Sequence, residues 1–310
     1  MTLTDQATSY VAVKRATGLA FIEQARLLVN FAVHAEAQGD QFIKAATVLG
    51  WASQASTQKR RIYRLHVVCA FAEYLHVEDE RHDVPHRDAL GRRARHRPPP
   101  HLLSADDIRQ IMNAALELPP AGSIRPHTFY AVIGILAATG MRRSEAVGLR
   151  IRDVTEDGLQ IHNAKLGKAR LVPLDETAKE ALDVYLKKRG PGEPDDPVFV
   201  MRSGRAVNPE TLTTVFVNLA RSVGLRGEPG IPGPRLHDLR HSFAVRALTD
   251  VASGNRRDIS RHMLALSTYL GHANIVDTYW YLEATPVLLD RISAATEKLR
   301  ELHVGGQTNE

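Results

Sequence analysis

A single cysteine, Cys69, stands in 310 residues, which excludes an intrachain disulfide and any zinc site built on several cysteines. A reducing cytoplasm is therefore the expected setting. Long apolar runs are missing too: the longest, residues 130–138, falls well short of the roughly 20 residues that span a bilayer. The opening Met1-Thr2-Leu3-Thr4-Asp5-Gln6 has no basic start followed by an apolar core, so neither export nor membrane insertion is expected. No internal repeat is found, and no low-complexity stretch outside one proline-rich segment.

What is present is ordinary for a globular chain, 44% hydrophobic and 24% charged, so disorder does not dominate. The length suffices for two domains with separate cores. A net charge of +5 suits a polyanionic partner and equally suits a merely basic protein. Its distribution says more than the total. Lys59-Arg60-Arg61, with Arg64 beyond, and Arg92-Arg93-Ala94-Arg95-His96-Arg97 concentrate positive charge in the first third, as a DNA-facing surface would.

The first part reads as a small helical domain, residues 1–81. Ile22, Ala25, Leu28, Val29 and Ala32 recur at helical spacing, Gly39 ends that helix and Asp40 caps the next. Phe42, Ile43, Ala46, Leu49 and Trp51 supply a second stripe. A third helix starts near Ser56 or Thr57, with Ile62, Leu65, Val68, Phe71, Tyr74 and Leu75 inward and Lys59, Arg60, Arg61 and Arg64 outward. Residues 82–101 read as a solvated linker ending in a stiff Pro98-Pro99-Pro100. His82-x-x-x-His86 lies there without enough further ligands for zinc, and no metal or cofactor is expected.

A second domain, residues 102–285, opens with Ser104-Ala105-Asp106-Asp107, a capping-box signal. Ile108, Ile111, Met112 and Ala115 form one helical stripe, and Phe129, Val132, Ile133, Leu136 and Ala137 another that stops at Gly140. A β-hairpin follows, Leu159-Gln160-Ile161-His162 turning through Leu166-Gly167-Lys168 into Arg170-Leu171-Val172-Pro173-Leu174. Asp175 caps a helix through Leu186, Val198-Phe199-Val200 reads as a strand, and Asn208-Pro209 starts another helix. The fold class is mainly α with a small β-sheet.

Chemistry concentrates in residues 237–281: His237-Asp238-Leu239-Arg240-His241, then Leu270-Gly271-His272, then Tyr281. An Arg fork can hold two phosphate oxygens, a His can move a proton near neutral pH, and a Tyr hydroxyl can attack phosphorus. A second cation stands upstream in Thr139-Gly140-Met141-Arg142-Arg143-Ser144-Glu145, where Arg142 sits between one helix end and the next helix start.

Taken in order, these motifs resemble the tyrosine recombinases, or phage integrase family. Thr139-Gly140-Met141-Arg142-x-Ser144-Glu145 resembles the first-arginine motif, His237-x-x-Arg240-His241-Ser242-Phe243-Ala244 the second, and Leu270-Gly271-His272 with Tyr281 the histidine and nucleophile. Lys165 stands on the hairpin where that family carries its catalytic lysine, with Lys168 as a competitor across the turn. The resemblance implies an N-terminal helical core-binding (SAM-like) domain and an α+β catalytic domain clamped around duplex DNA. It also implies cytoplasmic, nucleoid-associated work as a homo-oligomer, a tetrameric synapse, on specific recombination sites, with accessory recombinases as further partners.

The same resemblance implies the roles. Arg142 and Arg240 hold the nonbridging oxygens, Tyr281 forms a covalent 3′-phosphotyrosine, His237 accepts its proton, Lys165 protonates the departing 5′ oxygen and His272 hydrogen-bonds the phosphate, without metal or ATP. The family's interval selects Tyr281 over Tyr269 and Tyr279, which default to packing. Residues 286–310 carry an amphipathic pattern, Leu288, Ile292, Ala295, Leu299 and Leu302, which docks on its own domain or on a neighbouring protomer. The interval from Arg240 to His272 is long, and reads as a DNA-contacting loop or a longer connection. A type IB topoisomerase-like relaxase, a metal phosphohydrolase on His237-Asp238 and a noncatalytic DNA-binding protein are the alternatives.

Overall fold

The computed structural model describes residues 1–92, 100–162, 169–249 and 256–271. The chain divides into two compact units, Met1–Arg97 and Pro98–Glu310, each built on its own apolar cluster. Among the described residues no helix is long and apolar enough to cross a membrane.

The first unit is helical: α1 Leu3–Ala16, α2 Ile22–Ala37, α3 Ala45–Ser53 and α4 Gln58–His76. α1 lies ahead of the helices expected from the sequence; Thr2 and Asp5 begin it by exchanging hydrogen bonds, Asp5 N to Thr2 Oγ1 at 3.1 Å and Thr2 N to the Asp5 carboxylate at 3.0 Å. Phe31, Trp51, Leu65 and Phe71 pack at the centre. Of the stripe expected on α2, Ala25, Leu28 and Ala32 are buried, while Ile22 and Val29 face solvent and Leu27, Phe31 and Ala35 complete the packed face. Tyr74, expected inward on α4, is half-exposed and lays its ring 5.0 Å from that of Tyr10.

Asp40 does not cap α3, whose N-cap is Lys44. It is buried, where it accepts Thr47 Oγ1 at 2.6 Å and pairs with Lys44 Nζ at 2.5 Å. The expectation of a solvated run also fails at His82, which is 1% exposed. Its Nδ1 accepts the Ile43 N–H at 3.1 Å, Asp83 N donates to Ile43 O at 2.8 Å, and Cys69 Sγ donates to Pro85 O. Charge in this stretch is local: Arg81 pairs with Asp79 and Arg87 with Glu73. These backbone and side-chain bonds hold an irregular strap of polar composition against the helices, which hydrophobic periodicity cannot reveal.

The second unit contains α5 Ala105–Leu116, α6 Ile124–Thr139, α7 Arg143–Gly148, a three-stranded antiparallel sheet, α8 Glu176–Arg189, α9 Pro209–Ser222, α10 Leu236–Thr249 and α11 Arg256–Leu270. The strands β1 Val154–Thr155, β2 Gly158–Ile161 and β3 Arg170–Val172 lie in sequence order, with Leu159 opposite Val172 and Ile161 opposite Arg170. Ser104 caps α5 and shares a capping box with Asp107, Asp175 caps α8, and Asn208 caps α9 ahead of Pro209, as the sequence predicts. Val198-Phe199-Val200 is not a strand. Its polar groups are met partly by backbone, Val198 N donating to Leu149 O and Val207 N to Phe199 O, and partly by side chains: Thr128 Oγ1 donates to Val200 O at 2.8 Å, and the Tyr185 hydroxyl bridges Val198 O and Val200 N at 3.2 Å each.

The buried helix α6 is the axis of this unit, packing against α5, α8 and α10. It ends at Gly140, whose φ of 60° is the left-handed conformation suited to glycine. A Cβ there would lie 2.4 Å from the Phe243 ring of α10, so glycine is also what lets α10 approach. The interval read as a loop or longer connection is largely helical, since α10 continues to Thr249 and α11 runs from Arg256 to Leu270.

Candidate active site

Gly140 turns the chain from α6 into Met141, which is buried, and then into Arg142, the N-cap of α7. The carboxylate of Glu145, one turn into α7, accepts Arg142 N at 2.8 Å and Arg142 Nη1 at 2.9 Å. That places the guanidinium back over the helix start, and Arg142 Nη2 then donates to Gly271 O at 2.6 Å.

Arg240 comes from the middle of α10 and is 3% exposed. Its Nη1 donates to Gly140 O at 2.8 Å and its Nη2 to Leu270 O at 2.7 Å, so it ties the end of α6 to the end of α11. Two residues expected to act together, 98 positions apart in the chain, thus hold adjacent peptide carbonyls.

His237, in the first turn of α10, sets its ring edge-on to His241 with centroids 4.5 Å apart. Although the residue keeps an exposed face, partial desolvation of its ring, reinforced by the positive charges of Arg240, Arg235 and Arg142 and opposed by Asp238, pushes its pKa down to about 4. The imidazole is therefore neutral at physiological pH. Asp238 is fully buried and committed to its own helix start: it accepts Arg235 N at 2.8 Å and faces Arg235 Nη2 at 3.3 Å. Behind it, Ser242 Oγ donates to Asp238 O at 2.9 Å and accepts Leu103 N at 2.7 Å, which fastens the start of this unit to α10.

Two participants escaped the sequence reading. Glu145 figures there as part of a helix start and of the first-arginine motif, without a role of its own, and Arg170 only as the first residue of a strand. In the structure Arg170 donates from Nη1 and Nη2 to the two Glu145 oxygens at 3.0 and 2.8 Å. Burial would raise Glu145, but hydrogen bonds from Arg170 and Arg142 prevail and hold it at about 2. A signal for Arg170 exists: it shares one face of β3 with buried Val172, two residues on, while apolar Leu171 points outward.

Tyr269 lies close by, its ring stacked on Phe243 at 5.6 Å between centroids. Burial pushes its phenol up to about 12, against the pull of Arg170 and Arg240. Lys165, Lys168, His272, Tyr279, Trp280 and Tyr281 lie outside the described residues, as do Arg93, Arg95 and the pattern over residues 286–310.

The basic residues of the first unit divide in two. Lys59 and Arg60 are exposed on the first turn of α4, Arg60 with a 3.5 Å pairing to Glu23. Arg61 donates to Ala55 O at 2.8 Å, while Arg64 donates to Trp51 O and stacks 4.9 Å over the Trp51 ring. Arg92 is exposed and paired with Asp88.

Residues 101–286 match the phage integrase family. The chain belongs to that family. Among its relatives, y4rB of Sinorhizobium fredii (strain NBRC 101917 / NGR234), whose name assigns it to the integrases/recombinases, is 34% identical over 300 residues, covering 93% of this chain and 95% of the relative. Tyrosine recombinase XerD of Brucella abortus biovar 1 (strain 9-941) is 29% identical over 252 residues, or 78% of this chain and 76% of its own. The fold of this integrase-family chain also resembles the Tn1549 transposon integrase in complex with transposon right end DNA. There the TM-score is 0.66 at 18% identity, covering 97% of this chain and 100% of the other. XerH bound to its palindromic difH substrate gives a TM-score of 0.63 at 20% identity, covering 95% and 85%.

Proposed function

We propose that this integrase-family chain is a site-specific tyrosine recombinase that cuts and rejoins duplex DNA through a covalent 3′-phosphotyrosine, without metal or ATP. One observation carries the reading: Arg142 and Arg240, from distant segments, hold adjacent carbonyls at Gly271 and Leu270, immediately before His272 in the sequence. Two guanidiniums and a neutral imidazole in one place suit a phosphodiester whose transition state gains negative charge.

In this reading the Tyr281 oxygen attacks phosphorus and the bond from phosphorus to the 5′ oxygen breaks. The phenol proton passes to His237, which desolvation, helped by the positive charge of Arg240, keeps neutral and so free to accept it. Lys165 supplies a proton to the departing 5′ oxygen, and His272 hydrogen-bonds the phosphate. The reverse sequence, with a new 5′ hydroxyl, reseals the strand, and the phosphotyrosine link preserves the energy of the broken bond. Tyr269 is a poor rival nucleophile, since burial disfavours its anion.

A metal phosphohydrolase centred on His237-Asp238 fits less well, because the Asp238 carboxylate is buried and occupied by Arg235. The helical unit, taken as a core-binding domain over residues 1–81, contributes phosphate contacts through Lys59 and Arg60, and the stretch that follows it through Arg92, Arg93 and Arg95, while Arg61 and Arg64 are held by Ala55 O and Trp51. Four copies acting on two duplexes complete the exchange, with residues 286–310 reaching a neighbouring protomer, in the cytoplasm at the nucleoid.

The test offers the purified chain a pool of nicked duplexes with randomised sequence and recovers covalent protein–DNA adducts, whose sequences then define a cleavable duplex. Adducts are expected with wild type and Tyr279→Phe and absent with Tyr281→Phe. Persistence with Tyr281→Phe would overturn the nucleophile assignment, and absence with wild type would overturn the function. Relaxation of supercoiled plasmid without exchange between paired sites would point to a relaxase.

A further inference from the structure

We propose that Arg170 is a third arginine of the site, a positioning residue that neutralises Glu145 so that Arg142 keeps its positive charge for the substrate phosphate. This rests on the phosphoryl-transfer reading above and adds a residue to it.

The geometry poses a problem that Arg170 solves. Glu145 is needed to place Arg142, since its carboxylate accepts both the backbone and side-chain N–H groups of that residue. Yet an anion 2.9 Å from the Arg142 guanidinium cancels much of the field that would draw a phosphate. Arg170 meets both Glu145 oxygens in a two-pronged pair at 2.8 and 3.0 Å, the strongest arrangement available to these groups. Three guanidiniums against one carboxylate leave a surplus of two positive charges, whereas without Arg170 the surplus falls to one.

The pair is sheltered, which makes its charge count. The Glu145 side chain is 4% exposed and that of Arg170 is 13% exposed, so water screens them far less than a surface pair. Arg170 also reaches the residue that follows α11. A Cβ on Gly271 would lie 3.2 Å from Arg170 Nη1 and 3.4 Å from Arg142 Nη1, so both guanidiniums crowd the residue that precedes His272. β3 delivers Arg170 there by a fixed register, opposite Ile161, on the strand that follows the turn carrying Lys165 in the sequence. Among the described residues its Nε is buried without a hydrogen-bond partner, a cost consistent with a side chain held by function rather than by packing.

The test uses the full chain and the duplex recovered from the adduct selection, carrying either the native phosphate or a neutral methylphosphonate at the cleaved position. Removing one substrate charge lowers the demand for positive charge. Arg170→Met is therefore expected to slow single-turnover cleavage of the phosphate at least tenfold and of the methylphosphonate less than threefold. Glu145→Gln added to Arg170→Met is expected to recover most of the loss on the phosphate. Comparing two substrates on one preparation makes the ratio independent of the folded fraction. An equal loss on both substrates, or no recovery in the double variant, overturns the proposal. If wild type forms no adduct, the functional reading itself has failed; if wild type cleaves and Arg170→Met matches it, only this inference has.

Discussion

Arg142 and Arg240 grip consecutive peptide carbonyls at the end of α11, Gly271 O at 2.6 Å and Leu270 O at 2.7 Å. Arg240 closes the same arrangement on Gly140 O at 2.8 Å, two residues before Arg142. The two side chains therefore fix each other's surroundings through backbone, and each is part of the unit's architecture as well as of its chemistry.

Arg240→Ala should then fail twice. Cleavage is expected to fall at least a hundredfold, about 3 kcal/mol of transition-state stabilisation. The buried carbonyls of Gly140 and Leu270 also lose their donor, which should cost about 2 kcal/mol in urea unfolding. A variant that loses activity with unchanged unfolding would show that the carbonyl contacts contribute nothing to the fold.

His237 links the site to pH. Its folded-state pKa of about 4 lies below its ordinary 6.5, so the unfolded chain binds more protons between those values. Its contribution to stability is thus fully present above about pH 6.5 and is lost as the pH falls towards 4. His237→Gln should flatten the stability profile across that window, measured by denaturant midpoints at each pH. An unchanged slope would refute the assignment.

Ser242→Ala removes the acceptor of Leu103 N, a buried bond of 2.7 Å. The orphaned N–H should destabilise the second unit by about 1–3 kcal/mol. Hydrogen exchange at Leu103 should accelerate while α4 of the other unit keeps its protection.

Charge reversal separates the two sets of basic residues on α4. Lys59→Glu and Arg60→Glu should weaken binding to duplex DNA, each lowering the salt slope by about one. Arg64→Ala should act mainly on stability, because that side chain stacks on Trp51 and donates to its carbonyl. Fluorescence anisotropy titrations at several salt concentrations, beside thermal unfolding, distinguish these outcomes.

Local signals were legible wherever neighbours in sequence are neighbours in space. Ser104 with Asp107, Asp175, Asn208-Pro209 and Gly140 mark helix ends through side chains that bond, or glycine that bends, within a few residues. Thr2 with Asp5 carries the same kind of local signal for α1, a helix not expected from the sequence. Most other departures involve remote partners, Asp40 with nearby Lys44 and Thr47 excepted. His82 and Asp83 meet Ile43, the Val198-Phe199-Val200 backbone meets Tyr185 and Thr128, and Asp40 turns inward rather than capping α3.

By itself the sequence determined the chemistry available: two arginines, histidines, a lysine and tyrosines in an order that resembles one family, on a chain with enough apolar periodicity for two helical units. Only the tertiary structure decided which charges cooperate. Electrostatic energy depends on distance and burial, and neither follows from spacing along a chain that returns Arg170 to Glu145 across 25 positions and Arg240 to Gly140 across 100.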